Sequence, residues 1–249
     1  SLEEVWTRLI AADSGMDSIT RFDARTFPTT FAAEIKDYDF TQYVRDASIH
    51  ATAGLNSKFA LGAASQAWRQ AGLYDCDTLD RSRVGLYLGA GEGVLDTQNY
   101  LQTNVHSWNS ENRKVDGRLW AESALRRMHD LTEVEQEPNM PIAHLAREFE
   151  VTGPAFNCLT ACAASTQAIG EAFDIIRRGE ADLMISGGTH TMIHPLGVTG
   201  FNRLTALSTF DGDPAEASRP FDRTRGGFVM GEGSGIVTIE RLDHALARG

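Results

Sequence analysis

The sequence holds three cysteines in 249 residues: Cys76, Cys158 and Cys162. That is too few for a disulfide framework, and no Cys/His/Asp cluster has zinc-ligand spacing, so no metal is expected. A reducing, cytoplasmic compartment is the matching expectation. No apolar run approaches the ~20 residues that cross a bilayer. The opening segment SLEEVWTRLIAADSG is acidic and amphipathic, unlike a signal peptide. Positive charge is also scarce: 23 Lys and Arg stand against 34 Asp and Glu, a net charge of −11. This balance argues against nucleic acid and anionic membranes as general partners. Internal repeats and low-complexity segments are absent. What is present is a 42% hydrophobic share with 23 glycines, which suits an α/β enzyme of one large domain or two small ones.

The chain is organised around Ala155–Gly179. Gly153-Pro154 cannot continue a preceding helix, and AFNCLT after it reads as an extended apolar run. From Cys162 the apolar residues Ala168, Ile169, Ala172, Phe173 and Ile176 fall at helical spacing. Arg177 and Arg178 suit the last turn, and Gly179 suits the end. The pattern is strand, tight turn, helix, with Cys162 at the turn. A helix N-terminus favours a thiolate, and its free N–H groups can hold an oxyanion. Two readings stand on pattern alone: Cys162 as nucleophile, or as a small apolar residue in the core. Cys158 reads as inert core.

Elsewhere, Ser1-Leu2-Glu3-Glu4 has capping-box form, and Val5, Trp6, Leu9 and Ile10 give an apolar face. Residues 16–45 read as loop with short extended pieces. Ala47 to Ala71 reads as one helix stopped by Gly72. Arg83 to Leu88 and Ala181 to Ser186 read as buried strands, the second closed by Gly187-Gly188. Residues 94–138 form a polar excursion with a helix at 120–129. Met140 to Phe149 is a helix. Residues 189–225 read as loop, Gly235 to Ile239 as a strand and Leu242 to Arg248 as a helix. Helix, strand, helix, strand over 140–188 suggests a parallel sheet. Gly89-Ala90-Gly91-Glu92-Gly93 lacks the G-x-G-x-x-G spacing of a dinucleotide site, so close backbone approach is the better reading. None of the seven histidines sits in a catalytic pattern. His190 and His194, after a strand end, are possible lining residues.

Several motifs in order resemble the beta-ketoacyl-acyl-carrier-protein synthases, the condensing enzymes of fatty-acid synthesis, and most closely their elongating type II members. They are NCLTACAASTQAIG (157–170), Gly179-Glu180-Ala181-Asp182 with Gly187-Gly188, His194-Pro195-Leu196-Gly197 with Phe201, Leu207-Ser208, Ser218-Arg219-Pro220-Phe221-Asp222, and Gly227 to Gly233. The likeness is continuous from about Asn139 to Gly249 and weaker over 1–93. It implies a thiolase-like α-β-α-β-α layered fold in a homodimer, with this chain as the N-terminal part of a synthase domain. That part divides into opening helices and strand (1–93), a cap or dimer excursion (94–138) and a nucleophile-bearing core (139–249). The resemblance makes Cys162 the acyl-accepting nucleophile, with its backbone N–H in the oxyanion hole. It places Phe201 in the acyl pocket, and Phe156 to Thr160 on a strand that pairs across the dimer.

No cofactor is implied, because acyl and malonyl thioesters arrive on the phosphopantetheine of an acyl carrier protein. The family's opening strand, its two catalytic histidines and the lysine and glycine-rich loop of its second half are not found in residues 1–249. The expected reaction is a decarboxylative Claisen condensation. A polyketide ketosynthase domain, a non-catalytic partner subunit and a binding domain with a packed cysteine are the alternatives. An acidic carrier would need a local basic patch, for which Arg45, Lys58, Arg69, Arg126 and Arg127 are candidates.

Overall fold

A computed structural model describes residues 2–91, 93 and 96–249. The strands are β1 (Asp17–Ser18), β2 (Phe31–Ala32), β3 (Val84–Ala90), β4 (Trp108–Asn109), β5 (Lys114–Val115), β6 (Ala155–Cys158), β7 (Leu183–His190) and β8 (Gly233–Glu240). The helices are α1 (Leu2–Ile10), α2 (Leu55–Gln70), α3 (Thr97–His106), α4 (Gly117–Arg127), α5 (Asp130–Val134), α6 (Met140–Phe149), α7 (Ala164–Arg177), α8 (Pro195–Arg203) and α9 (Leu242–Arg248). Two units divide the chain: Asp39–His190 with Gly233–Gly249, and Ser1–Tyr38 with Thr191–Glu232.

The first unit is built on a sheet of order β6-β3-β7-β8. β6, β3 and β7 are parallel, and β8 returns antiparallel to β7. Successive strand residues point to opposite faces, so the apolar run of β3 is sorted by position. Leu86 and Leu88 join Leu183 and Ile185 in a core with α2 and α6. Tyr87, Met184 and Ile239 pack on the other face with Ala172, Ile175 and Ile176 of α7. Within the first core Trp68 stacks on Phe149 at 4.8 Å, and the Arg81 guanidinium lies over the same indole at 5.1 Å. At the strand starts Arg83 forks onto Asp182, both nitrogens at 3.0 Å, and also takes the carbonyls of Gly179 and Glu180.

The second unit holds the β1–β2 pair and α8. Ile19, Ala32, Ile193, Val198, Leu207 and Met230 form its core. The Glu232 carboxylate is buried there and fully satisfied. It accepts from Arg21, from the Thr191 hydroxyl at 2.6 Å and from the Ile35 N–H at 2.7 Å.

Several expectations need correction. Ala47 to Ala71 is not one helix: Ala47–His50 is a 3-10 turn capped by Asp46, and the α-helix starts at Leu55 behind Gly54. Gly187-Gly188 do not close a strand but lie inside β7, paired with Ile236 and Gly235 of β8. The strands within 140–188 are parallel as expected, and β8 beyond them runs against its neighbour. Pro195–Arg203 is a helix inside the expected loop, with Pro195 in its first turn and the His194 ring accepting from the Gly197 N–H at 3.2 Å. The excursion holds α3 and α5 besides the expected helix. Ser1 of the capping box and Glu92 of the glycine run lie outside the described residues. The apolar residues Leu2, Val5, Trp6, Leu9 and Ile10 of α1 are each 62–69% exposed.

Candidate active site

The approach to Cys162 is built by four local choices. β6 ends at Cys158, whose thiol is buried and donates to the Ala164 carbonyl at 3.1 Å. Thr160 then leaves extended geometry at φ −121°, ψ 40°, and Ala161 takes a left-handed φ of 50°. A residue with a Cβ pays roughly 1–2 kcal/mol for that conformation, so the turn is strained at the position before the cysteine. Ala161–Ala163 forms a single 3-10 turn, and α7 starts at Ala164 with no side chain capping it. Cys162 is exposed at this turn. The strand is shorter than the sequence pattern indicates, and the α-helix begins two residues after the cysteine.

Close backbone approach holds the turn against the sheet. A Cβ on Gly89 would stand 2.4 Å from the Ala164 carbonyl carbon and 2.4 Å from the Ser165 nitrogen. A Cβ on Gly188 would stand 2.8 Å from the Ser165 Cβ. Gly89 and Gly188 are register partners on β3 and β7. The first turn of α7 therefore rests on a platform with no side chains. Gly89 belongs to the glycine run of the sequence, so that run marks a helix resting place rather than a phosphate cradle. Burial pushes the Tyr87 hydroxyl above its usual range on the same face.

The other candidate residues lie apart from this turn in sequence. Phe201, on α8 in the second unit, is half-buried and meets Phe228 edge-on at 5.4 Å. His190 ends β7, and a Cβ on Gly91 would stand 2.6 Å from its ring. His194 is the buried cap of α8. The basic candidates have separate engagements: Arg45 with Glu150 at 3.0 Å, Lys58 over the Phe40 ring, Arg69 over Tyr74, and Arg127 with Gln102 at 2.8 Å. Among the described residues, no group of three or more His, Cys, Asp or Glu could hold a metal ion. No described helix is long and apolar enough to cross a membrane. Sequence reasoning missed the strained Ala161 and the buried histidine pair His50–His144, which carries no motif.

The family model of the beta-ketoacyl synthase N-terminal domain matches residues 1–245. The chain belongs to this family. It is 34% identical to the 3-oxoacyl-[acyl-carrier-protein] synthase 2 of Coxiella burnetii over 99% of its length and 56% of that protein's. With the synthase 2 of Synechocystis the identity is 36%, over 100% of this chain and 56% of the relative. A beta-ketoacyl synthase structure from Burkholderia phymatum superposes with a TM-score of 0.83 at 24% identity, covering 100% of this chain and 57% of that one. The ishigamide ketosynthase/chain length factor superposes with a TM-score of 0.80 at 28% identity, over 99% and 56%. The chain thus spans about half the length of these relatives. Its fold is the layered thiolase-type α/β fold of ketosynthases.

Proposed function

We propose that the chain carries the acyl-accepting part of a 3-oxoacyl-acyl-carrier-protein synthase, with Cys162 as nucleophile. The observation that carries this reading is an exposed cysteine on a strained turn at the mouth of an uncapped helix, in a chain of the beta-ketoacyl synthase family. The Cys162 sulfur attacks the carbonyl of an acyl group held as a thioester on phosphopantetheine. The carbon–sulfur bond to pantetheine breaks, and its thiol leaves with the proton that Cys162 gave up. N–H groups at the α7 entrance, that of Cys162 among them, stabilise the oxyanion that forms in between. Malonyl carrier then loses carbon dioxide, and the resulting carbanion attacks the Cys162 thioester and releases the sulfur. Electrophilic donors for that second step are, in the family, two histidines on motifs that residues 1–249 do not contain. The family resemblance gives Phe201 the role of lining for the acyl chain, and within its own unit Phe201 packs edge-on against Phe228.

The partner is an acyl carrier protein, and the setting is cytoplasmic fatty-acid synthesis. The homodimer seam is β6, an outer strand of the sheet, whose Phe156 is exposed, as are Leu159 after it and Ile169 and Phe173 of α7. Such a patch on an outer strand favours pairing with a second copy.

Incubation of the 249-residue chain with an acyl carrier loaded with a saturated acyl group tests the assignment. Intact-mass analysis is expected to show one acyl adduct, mapped to Cys162, and no condensation product with malonyl carrier. Cys162→Ala is expected to abolish the adduct. An adduct on Cys158 in the parent protein would overturn the assignment.

A further inference from the structure

A line of four buried side chains runs through the first unit and is not used by the chemistry above. Glu148 Oε2 lies 3.0 Å from His50 Nε2. His50 Nδ1 lies 2.9 Å from His144 Nδ1. His144 Nε2 lies 3.0 Å and 3.2 Å from the two oxygens of Glu135. None of the four residues is more than 7% exposed. Their backbones belong to three separate segments: the 3-10 turn before α2, the end of the excursion after α5, and α6.

The protons of this line can be counted from geometry. An ionised carboxylate only accepts, so both outer ring nitrogens, His50 Nε2 and His144 Nε2, carry hydrogens. Two Nδ1 atoms at 2.9 Å need a third hydrogen between them. Two neutral imidazoles supply only two. With both carboxylates ionised, the line therefore holds one proton more than a neutral histidine pair, and one of its rings is an imidazolium. Burial holds the His144 ring below the usual histidine range, against the pull of Glu135. Charged groups around the line are Arg45, whose backbone N–H donates to Glu148 at 3.0 Å and whose guanidinium lies 3.6 Å from the same carboxylate, donates to the Glu148 carbonyl and reaches Glu150, with Arg147 facing His144 and Asp46 facing His50.

The far end of the line bears on the catalytic end of the sheet. Glu135 also accepts from the Thr52 hydroxyl at 3.1 Å and the Gly54 N–H at 3.4 Å, and so closes the N-terminus of α2. The backbone beside it is pinned to the residues after β3: the Gly93 N–H donates to the Gln136 carbonyl at 2.9 Å. A Cβ on Gly93 would stand 2.3 Å from the Glu135 carbonyl oxygen. We propose that Glu148, His50, His144 and Glu135 form a latch closed by one buried proton, which holds residues 129–136 against the C-terminal end of β3. Losing the proton turns one N–H contact into two facing lone pairs and opens the line. Raising the pH until that proton is lost therefore loosens the latch.

Two measurements on the whole chain test this. Long-range proton–nitrogen correlation on 15N-histidine-labelled protein at pH 7, assigned with His50→Gln and His144→Gln, is expected to show one ring with both nitrogens protonated. The other ring should show a bare Nδ1. Two neutral rings, each with one bare nitrogen, would overturn the proposal. Hydrogen exchange read by mass spectrometry, corrected for intrinsic rates, is expected to show protection of 52–56 and 130–137 falling about tenfold between pH 6 and pH 9, the scale of one lost hydrogen bond to a charged group. Protection in β3 and β7 should hold. Glu148→Gln keeps the shape but removes the charge, so the same segments should be unlatched already at pH 7. A uniform loss across all segments, or a Glu148→Gln profile identical to the parent, rejects the latch.

Discussion

Gly89 lies directly beneath Ala164: the site of its missing Cβ is 2.4 Å from the Ala164 carbonyl carbon. The first turn of α7 can approach the sheet because nothing projects there. That approach sets the height of the Cys162 turn above β3.

Gly89→Ala is expected to push the start of α7 away from the sheet. Overpacking of this kind costs about 1–3 kcal/mol. Denaturant unfolding should show that loss, and the rate of Cys162 alkylation should change more than that of an exposed reference thiol such as a surface cysteine introduced at Ser110. Gly188→Ala should act in the same direction more weakly, because the nearest atoms stand farther off, the Ser165 Cβ at 2.8 Å and the Gly89 carbonyl oxygen at 2.9 Å.

Ala161 holds a left-handed φ of 50°. Ala161→Gly relieves that strain but loosens the unfolded chain, and is expected to change stability by less than about 1 kcal/mol. Ala161→Val puts a β-branched residue where it is a true outlier, and should cost about 2 kcal/mol or more. Urea midpoints of the two variants check the ordering.

The two neighbouring cysteines should label differently. Cys162 is exposed, while Cys158 is buried with its thiol bonded to the Ala164 carbonyl. In native buffer iodoacetamide should modify Cys162 and leave Cys158 untouched; in denaturant both should react. Peptide mapping after a timed quench reads the result. Equal native labelling would place the sulfur elsewhere than the geometry does.

Acid should weaken the joint between β3 and β7. The Arg83 fork, with Arg241 at 2.8 Å, holds the Asp182 carboxyl below the usual carboxylate range. A lowered folded value means the stabilisation is complete above the unfolded value of ~3.9 and is lost as pH falls through the folded one. The pair is partly solvated, so its worth is about 1–2 kcal/mol. Arg83→Met should remove that amount at pH 7 and flatten the stability profile below pH ~4, measured by urea unfolding at several pH values.

Period and punctuation made part of the fold legible in the sequence. Ala155–Gly179 reads as strand, turn and helix because alternation, helical spacing and Gly179 agree there. α6 reads to the residue, although the chain leaves it through a left-handed Glu150 before Gly153-Pro154 is reached. Gly187-Gly188 mislead, since glycine pairs usually interrupt strands; here the space above them is occupied by Ser165 and by β8. α8 is hidden because its two glycines lower helix propensity, and its start depends on a histidine cap. The His50–His144 line is invisible, as its members are 94 residues apart and meet only through the packing of α6 beside α2. Cys162 stands at a turn as the pattern indicates, while its neighbour's strain leaves no mark in the pattern.

The sulfur sits four positions beyond Cys158, the last pairing residue of β6. Hydrogen bonding to that strand from outside would therefore fix the coordinates of the Cys162 sulfur as well as the register of contact. A slip of one residue along β6 would swing Phe156 to the opposite face and drag the Ala161 turn with it. Assembly and reactivity would then be inherited from one short piece of backbone, and a variant that disturbs the first should be read for its effect on the second.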